Sequence, residues 1–154
     1  ARFSRYLSAT GADSLGNIRS LMRKNMTDNV SVFRTEAGIA EAIETLQELK
    51  DRAEKTALNG RALAMNQELV QRWELDNLLA VALVISKAAL ERKESRGAHF
   101  RDDYPDRKDE FNYHTLVSMP EFGAVELGRR EVDMSVFKAG GEHHEMFDII
   151  ERKY

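Results

Sequence analysis

The chain has 154 residues and no cysteine. That excludes disulfides, iron–sulfur ligation by this chain and a thiol nucleophile, and it fits a reducing compartment. Proline is scarce: Pro105 and Pro120 both lie in the second half, so the first hundred residues contain no strong helix breaker. The longest uninterrupted apolar run, Leu78 to Ile85, is too short to span a bilayer. No signal-peptide pattern is present. Direct membrane insertion is therefore not expected. Basic residues are not in excess either, with 23 Lys and Arg against 26 Asp and Glu for a net charge of −3. A nucleic-acid partner is not expected from that balance. Internal repeats and low-complexity tracts are lacking, and the chain opens on Ala1 without an initiator methionine, as expected of a fragment or a processed product.

What is present is a globular composition, 42% hydrophobic and 32% charged, at a length that suits one domain with a real core. Residues 1–16 read as irregular, with Gly11 and Gly16 flanking Ser14. Ile18, Leu21, Met22 and Met26 follow helical spacing and predict an amphipathic helix over about residues 15–29. Val30 to Arg34 reads as a short extended piece. Thr35 is a good N-cap with Glu36 behind it, and Ile39, Ala42, Ile43, Leu46, Leu49, Ala53 and Ala57 form one apolar stripe. Glu41, Glu44, Glu48, Asp51 and Glu54 occupy a solvated face, and Asn59-Gly60 reads as the stop.

Asn66 caps a third helix that runs toward Glu94 and is apolar almost all round between Leu75 and Leu90. Such a helix is central or covered by a second body. Trp73, with Leu69, Val70 and Leu78, reads first as core and second as a partner hot spot; Met22 and Met26 read as packing. Gly97 sits where a left-handed residue would end the helix. Beyond Pro105, Tyr113, Thr115, Val117 and Met119 alternate with His114, Leu116 and Ser118, and Val125, Leu127 and Val132 mark a second extended stretch across a turn at 120–123. The expected fold is mainly α: an antiparallel up-down-up three-helix bundle, spectrin-repeat-like, with a C-terminal β-hairpin and tail. Residues 1–110 would form the bundle with a docking loop at 94–110, and 111–154 the hairpin and tail of the same domain.

The densest stretch of chemistry is 94–107, where Glu94, Ser95, Arg96, Gly97, His99, Arg101, Asp103, Tyr104, Pro105 and Arg107 crowd together directly after the most apolar segment. Planar donors beside carboxylates predict bidentate contacts, within the chain or across a docking surface. His99, Arg101 and Asp103 could be drawn as a catalytic set, but a structural ion network is the better reading. His143-His144 with Glu142 and Glu145 has no helical ligand spacing, so no metal site is assigned and a solvated tail is expected there. Met146, Phe147, Ile149 and Ile150 would dock or form a short turn of helix. No glycine-rich strand–turn–helix pattern supplies a dinucleotide site.

Three segments carry a resemblance. They are Met22 to Met26 leading into Val30 to Arg34; Glu74-Leu75-Asp76-Asn77-Leu78; and Glu94-Ser95-Arg96-Gly97-Ala98-His99-x-Arg101-x-Asp103-Tyr104-Pro105-x-Arg107, followed by Asp109-Glu110 and His114-Thr115-Leu116. From about Ile18 onward the chain resembles the C-terminal helical domain of the flavoprotein subunit of succinate dehydrogenases and fumarate reductases, and is similar to L-aspartate oxidase. Ile150 to Tyr154 is similar to the basic, tyrosine-terminated tail of some members. The resemblance implies a bracing and docking domain, with no catalytic, cofactor-binding or metal residue carried onto this chain. FAD would belong to the parent protein and none to this fragment. The implied partners are its own FAD-binding and capping domains and an iron–sulfur subunit. The implied place is the cytoplasmic side of a membrane, as a peripheral subunit. An independent helical interaction module is the reading from a different class.

Overall fold

Ser14, Thr35 and Asn66 each turn a side-chain oxygen onto the amide three residues on, to Asn17, Gly38 and Leu69 at 3.1, 3.1 and 3.0 Å. Each cap satisfies one of the amides that a helix start leaves without a partner, and three helices begin at these points. The computed structural model describes residues 2–135. The helices are α1 (Arg2–Ser8), α2 (Leu15–Val30), α3 (Glu36–Lys55) and α4 (Gln67–Glu91). A 3-10 turn at Asp109–Phe111 leads into β1 (Tyr113–Ser118) and β2 (Glu126–Glu131), which pair antiparallel with Tyr113 opposite Glu131 and Ser118 opposite Glu126.

Side-chain partners give the helix directions. Asn25, late in α2, donates to the carbonyl of Ala42, early in α3, at 3.0 Å. Lys50, late in α3, meets Asp76, early in α4, at 2.8 Å. Arg19 reaches Glu74 at 3.5 Å and Ser86 reaches Met26 Sδ at 3.6 Å, so α2 and α4 run the same way. The bundle is up-down-up, as the periodicity predicts. Its core is Ile18, Met22, Leu46, Leu49, Leu75, Leu79 and Leu83, with Ala53 and Ala82 as the small residues that let helices approach. Met119, Phe122 and Val125, in the connection between the strands, lean on the same core.

Several boundaries differ from expectation. Residues 2–8 are helical, because Tyr6 is buried and donates to Asp76 while Arg72 lies 4.5 Å over its ring. A seven-residue helix would not hold alone; this one is held by contacts nearly seventy positions away. Burial pushes the Tyr6 hydroxyl up to about 12, with help from its hydrogen bond to Asp76. Burial opposes the Asp76 charge, but hydrogen bonds from Lys50, Tyr6 and Arg72 outweigh it and hold the carboxyl below its usual range. Residues 31–33 form a bend instead of an extended piece, and Arg34 Nε turns back to the Val30 carbonyl at 3.0 Å.

The α3 stop also moves. The helix ends at Lys55, before Asn59-Gly60, because Gly11 pairs with this end of it: Gly11 N donates to the Lys55 carbonyl at 2.6 Å and Ala57 N to the Gly11 carbonyl at 3.1 Å. Asn59 and Gly60 instead donate their amides to Glu68, at 2.7 and 3.0 Å. Helix α4 ends at Glu91, short of Glu94. Trp73 is 44% exposed and not core. The alternation in β1 holds, with Tyr113, Thr115 and Val117 half-buried and His114, Leu116 and Ser118 exposed. Val125 precedes β2 and Val132 follows it. The expectations for Glu142, His143, His144, Glu145, Met146, Phe147, Ile149 and Ile150 lie outside the described residues.

Among the described glycines, Gly11 has the closest surroundings. A Cβ there would stand 2.4 Å from the Lys55 carbonyl oxygen, a backbone atom that cannot swing away. Gly11→Ala is expected to cost about 1–3 kcal/mol, the range for overpacking a fitted contact. Urea unfolding should show a lower midpoint with an unchanged slope. An unaltered midpoint would show that the Gly11 pairing does not hold the end of α3.

Candidate functional site

Helix α4 stops at Glu91 and leaves its last carbonyls without intrahelical partners. The segment predicted for docking returns to supply them. Arg101 Nη1 donates to the carbonyls of Ala89 and Leu90 at 3.2 and 3.3 Å and approaches that of Arg92 at 3.5 Å. The other edge of the same guanidinium grips Asp103, Nε to Oδ1 and Nη2 to Oδ2, both at 2.7 Å. Asp103 Oδ2 then accepts the amide of Glu36, the first residue of α3, at 2.7 Å. A cation thus meets the negative end of one helix and an anion the positive end of the next. Arg101 is 0% exposed, and each of its three side-chain nitrogens is engaged. The Arg101 contact holds the Asp103 carboxyl down at about 2, against an opposing effect of burial.

The rest of the segment builds the cradle for that arginine. Arg96 and His99 exchange backbone hydrogen bonds at 2.7 and 3.1 Å around Gly97-Ala98. Gly97 has φ +58, left-handed as expected, but as the first central residue of this turn and not as the end of α4. Positive φ there followed by negative φ is the II′ pattern that favours glycine. Ser95 Oγ accepts the Arg101 amide at 2.9 Å and reaches the Tyr104 carbonyl at 2.9 Å. Glu94 is 0% exposed and accepts from Arg96 Nε at 3.0 Å and from the Lys108 amide at 3.1 Å, with Arg92 3.5 Å away. The Tyr104 ring lies against Arg101, 4.9 Å from its guanidinium carbon, and its hydroxyl reaches Glu36 at 3.3 Å. Pro105 is exposed, and Arg107 pairs with Asp109 at 3.6 Å.

His99 joins this network through both ring nitrogens. Arg34 Nη1 lies 2.8 Å from Nδ1, and the Arg92 carbonyl 3.1 Å from Nε2. Arginine only donates, so Nδ1 accepts and Nε2 carries the proton. The ring is therefore held neutral. Burial lowers its pKa first; the Arg92 carbonyl contact opposes this, and the charges of Arg34, Arg92 and Arg101 add to the lowering.

Of the residues singled out in the sequence, the structure joins Glu94, Ser95, Arg96, His99, Arg101, Asp103 and Tyr104 in one polar cluster. Sequence reasoning missed Arg34, Glu36 and Arg92, which complete the cluster from other elements. No local pattern marks these three; only the closure of α4 against the start of α3 does. His99, Arg101 and Asp103 are each committed to protein partners. Among the described residues there is no strand–turn–helix cradle of the kind that holds a dinucleotide. Their sheet is an antiparallel hairpin. Among the described residues no helix is long and apolar enough to cross a membrane.

Asp103 sits at the surface while Arg101 is buried, so Asp103→Ala removes two charge-assisted hydrogen bonds at the rim and should lower the unfolding free energy by about 1–2 kcal/mol; Pro105→Ala, at an exposed position, serves as the neutral comparison in the same urea series. Equal midpoints for the two would remove the clamp. His99 predicts a separate pH effect. Its folded pKa lies below the unfolded value of about 6.5, so the unfolded chain binds more protons between the two values. Stability is complete above that value and falls as the pH drops from about 7 toward 5. Urea midpoints across this range should slope for the natural chain and flatten for His99→Gln; parallel slopes would refute the neutral assignment.

A family model described as fumarate reductase flavoprotein C-term matches residues 19–154. The chain is 40% identical over 136 residues to the succinate dehydrogenase flavoprotein subunit of Rickettsia bellii, covering 88% of this chain and 23% of that protein. It is 32% identical over 142 residues to the fumarate reductase flavoprotein subunit of Mycobacterium tuberculosis, covering 90% of this chain and 24% of that one. A solved structure of E. coli quinol fumarate reductase superposes with a TM-score of 0.80 at 29% identity, over 85% of this chain and 23% of that one. The chain thus spans about a quarter of the length of these relatives. By fold, by sequence and by the extent of the family match, the chain belongs to the C-terminal domain family of succinate dehydrogenase and fumarate reductase flavoproteins.

Proposed function

We propose that this chain is the rigid helical body of a flavoprotein that interconverts succinate and fumarate. It braces the FAD-binding and capping portions of the longer polypeptide and keeps them in fixed relation to an iron–sulfur subunit. The observation that carries the reading is the 40% identity with a succinate dehydrogenase flavoprotein subunit across 88% of the chain. The clamp between α3 and α4 supports it, because electron transfer between separately held centres needs a geometry that does not drift. In this reading residues 94–107 have two parts. Glu94, Ser95, His99 and Arg101 lock the bundle, while the turn at Gly97-Ala98 and the run from Pro105 to Arg107 stand outward as the docking edge. The whole would sit at the cytoplasmic side of a membrane as a peripheral subunit.

The chain's own residues would then take no part in the chemical step. They would orient the portions that do. Purified alone, the 154-residue chain should show no flavin absorbance band and reduce no fumarate. The full-length product of its gene should carry FAD, oxidise succinate and co-purify with an iron–sulfur subunit. A stoichiometric flavin band in the isolated chain would overturn the assignment, as would a full-length product without flavin. A flavin-bearing product that uses L-aspartate and recruits no iron–sulfur partner would move it to the aspartate oxidase branch.

A further inference from the structure

Helix α4 is apolar on two sides but uses only one of them. Leu75, Leu79 and Leu83 fill the core, while Val70, Trp73, Leu78, Val81 and Ile85 stand 44%, 44%, 42%, 56% and 47% exposed. At 100° per residue these five fall within about 140° of the helix circumference, and from Val70 to Ile85 they run about 22 Å along it. Phe3 of α1 extends the strip by meeting Trp73 edge-on, with ring centroids 6.4 Å apart. Glu74 falls within this arc, its side chain 56% exposed, and pairs with Arg19 of α2 at 3.5 Å. A strip of this length with its one charge paired is more than scattered surface leucines, and it marks an interaction face. Trp73 beside Phe3 has the make-up of an interface anchor.

We infer that this side of α4, and not the 94–107 segment alone, is the main seat for the flavin-binding portion of the longer polypeptide. The inference rests on the function proposed above. Three observations choose this occupant. The matched relatives are about four times the length of this chain, and the matched region is described as their C-terminal part, so in them the remaining length precedes it. Phe3, in the first described helix, lies against the strip, so polypeptide arriving ahead of α1 comes in beside it. Apart from the Glu74–Arg19 pair the face is largely apolar, and so suits a mainly apolar surface of the same protein. The polar turn at 96–99 lies beyond the C-terminal end of α4 and is left for a second contact.

The absence of natural cysteine from the chain makes a direct test simple. Val81→Cys and Ile85→Cys place single thiols on the strip, and Glu48→Cys places one on the exposed acidic side of α3. Maleimide modification of each introduced thiol is timed by peptide mass spectrometry in the 154-residue chain and in the full-length flavoprotein. The thiols at 81 and 85 should react about tenfold or more slowly in the full-length protein, as burial removes access, while the thiol at 48 reacts alike in both. Equal rates at 81 and 85 in a full-length protein that carries flavin would overturn the inference and leave the proposed function standing. Slow reaction in the 154-residue chain would also overturn it. Slowing that grows with concentration would assign the strip to a second copy, and slowing at every concentration to the chain's own residues 136–154. A full-length product without flavin would bring down the proposed function and this inference together.

Discussion

The bundle depends on the way Arg101 and Asp103 close it at one end. The C-terminus of α4 and the N-terminus of α3 meet there, one with spare carbonyls and the other with spare amides. Left to water, each end would fray. Joined through a guanidinium that takes the carbonyls and a carboxylate that takes an amide, they become one polar joint. The bidentate geometry matters as much as the charge, since one planar fork must face two carboxylate oxygens and a helix end at once. A lysine could supply the charge and not the shape. Everything from Glu94 to Lys108 then follows as the scaffold needed to bring one arginine back under the helix it has just left.

That constraint explains the composition of the segment. Its charged groups look like a docking surface because they are many and mixed in sign, yet most of them are spent inside the chain. Glu94 is buried against Arg96 and the Lys108 amide, and His99 is pinned between Arg34 and the Arg92 carbonyl. Buried charge without partners would cost several kcal/mol per ion, so full pairing is the condition for its being there. The partners come from the end of α2, the start of α3, the end of α4 and the turn before β1. The polar cluster therefore records where four parts of the fold meet.

Helices α2, α3 and α4, the caps at Thr35 and Asn66 and the alternation of β1 were legible because each is written in neighbouring residues. What was not legible depends on distant ones. Helix α1 exists because Tyr6 finds Asp76 and Arg72, and α3 stops early because Gly11 takes the Lys55 carbonyl. Neither pairing leaves a local mark. Trp73 illustrates a different limit. Periodicity locates the core side of a helix only when the other side is polar, and α4 is apolar on both. Of the polar cluster, the membership of residues 94–107 was readable from density alone. Its completion by Arg34, Glu36 and Arg92 was not, because those residues are ordinary members of other elements until the chain folds.

A domain with the bracing role proposed above has two needs that pull apart. It must hold its own shape without help, and it must hold something else. Directional polar contacts meet the first need, since they tolerate few geometries; apolar area meets the second, since it is adhesive and indifferent to small shifts. Here the two are separated in space, with the ion cluster at one end of the bundle and the apolar strip along its flank. On the reading proposed above, a contact at Val81 or Ile85 would draw on none of the hydrogen bonds that tie the helix ends. Had the strip been built from the same arginines and carboxylates that close the bundle, each docking event would compete with folding for the same hydrogen bonds.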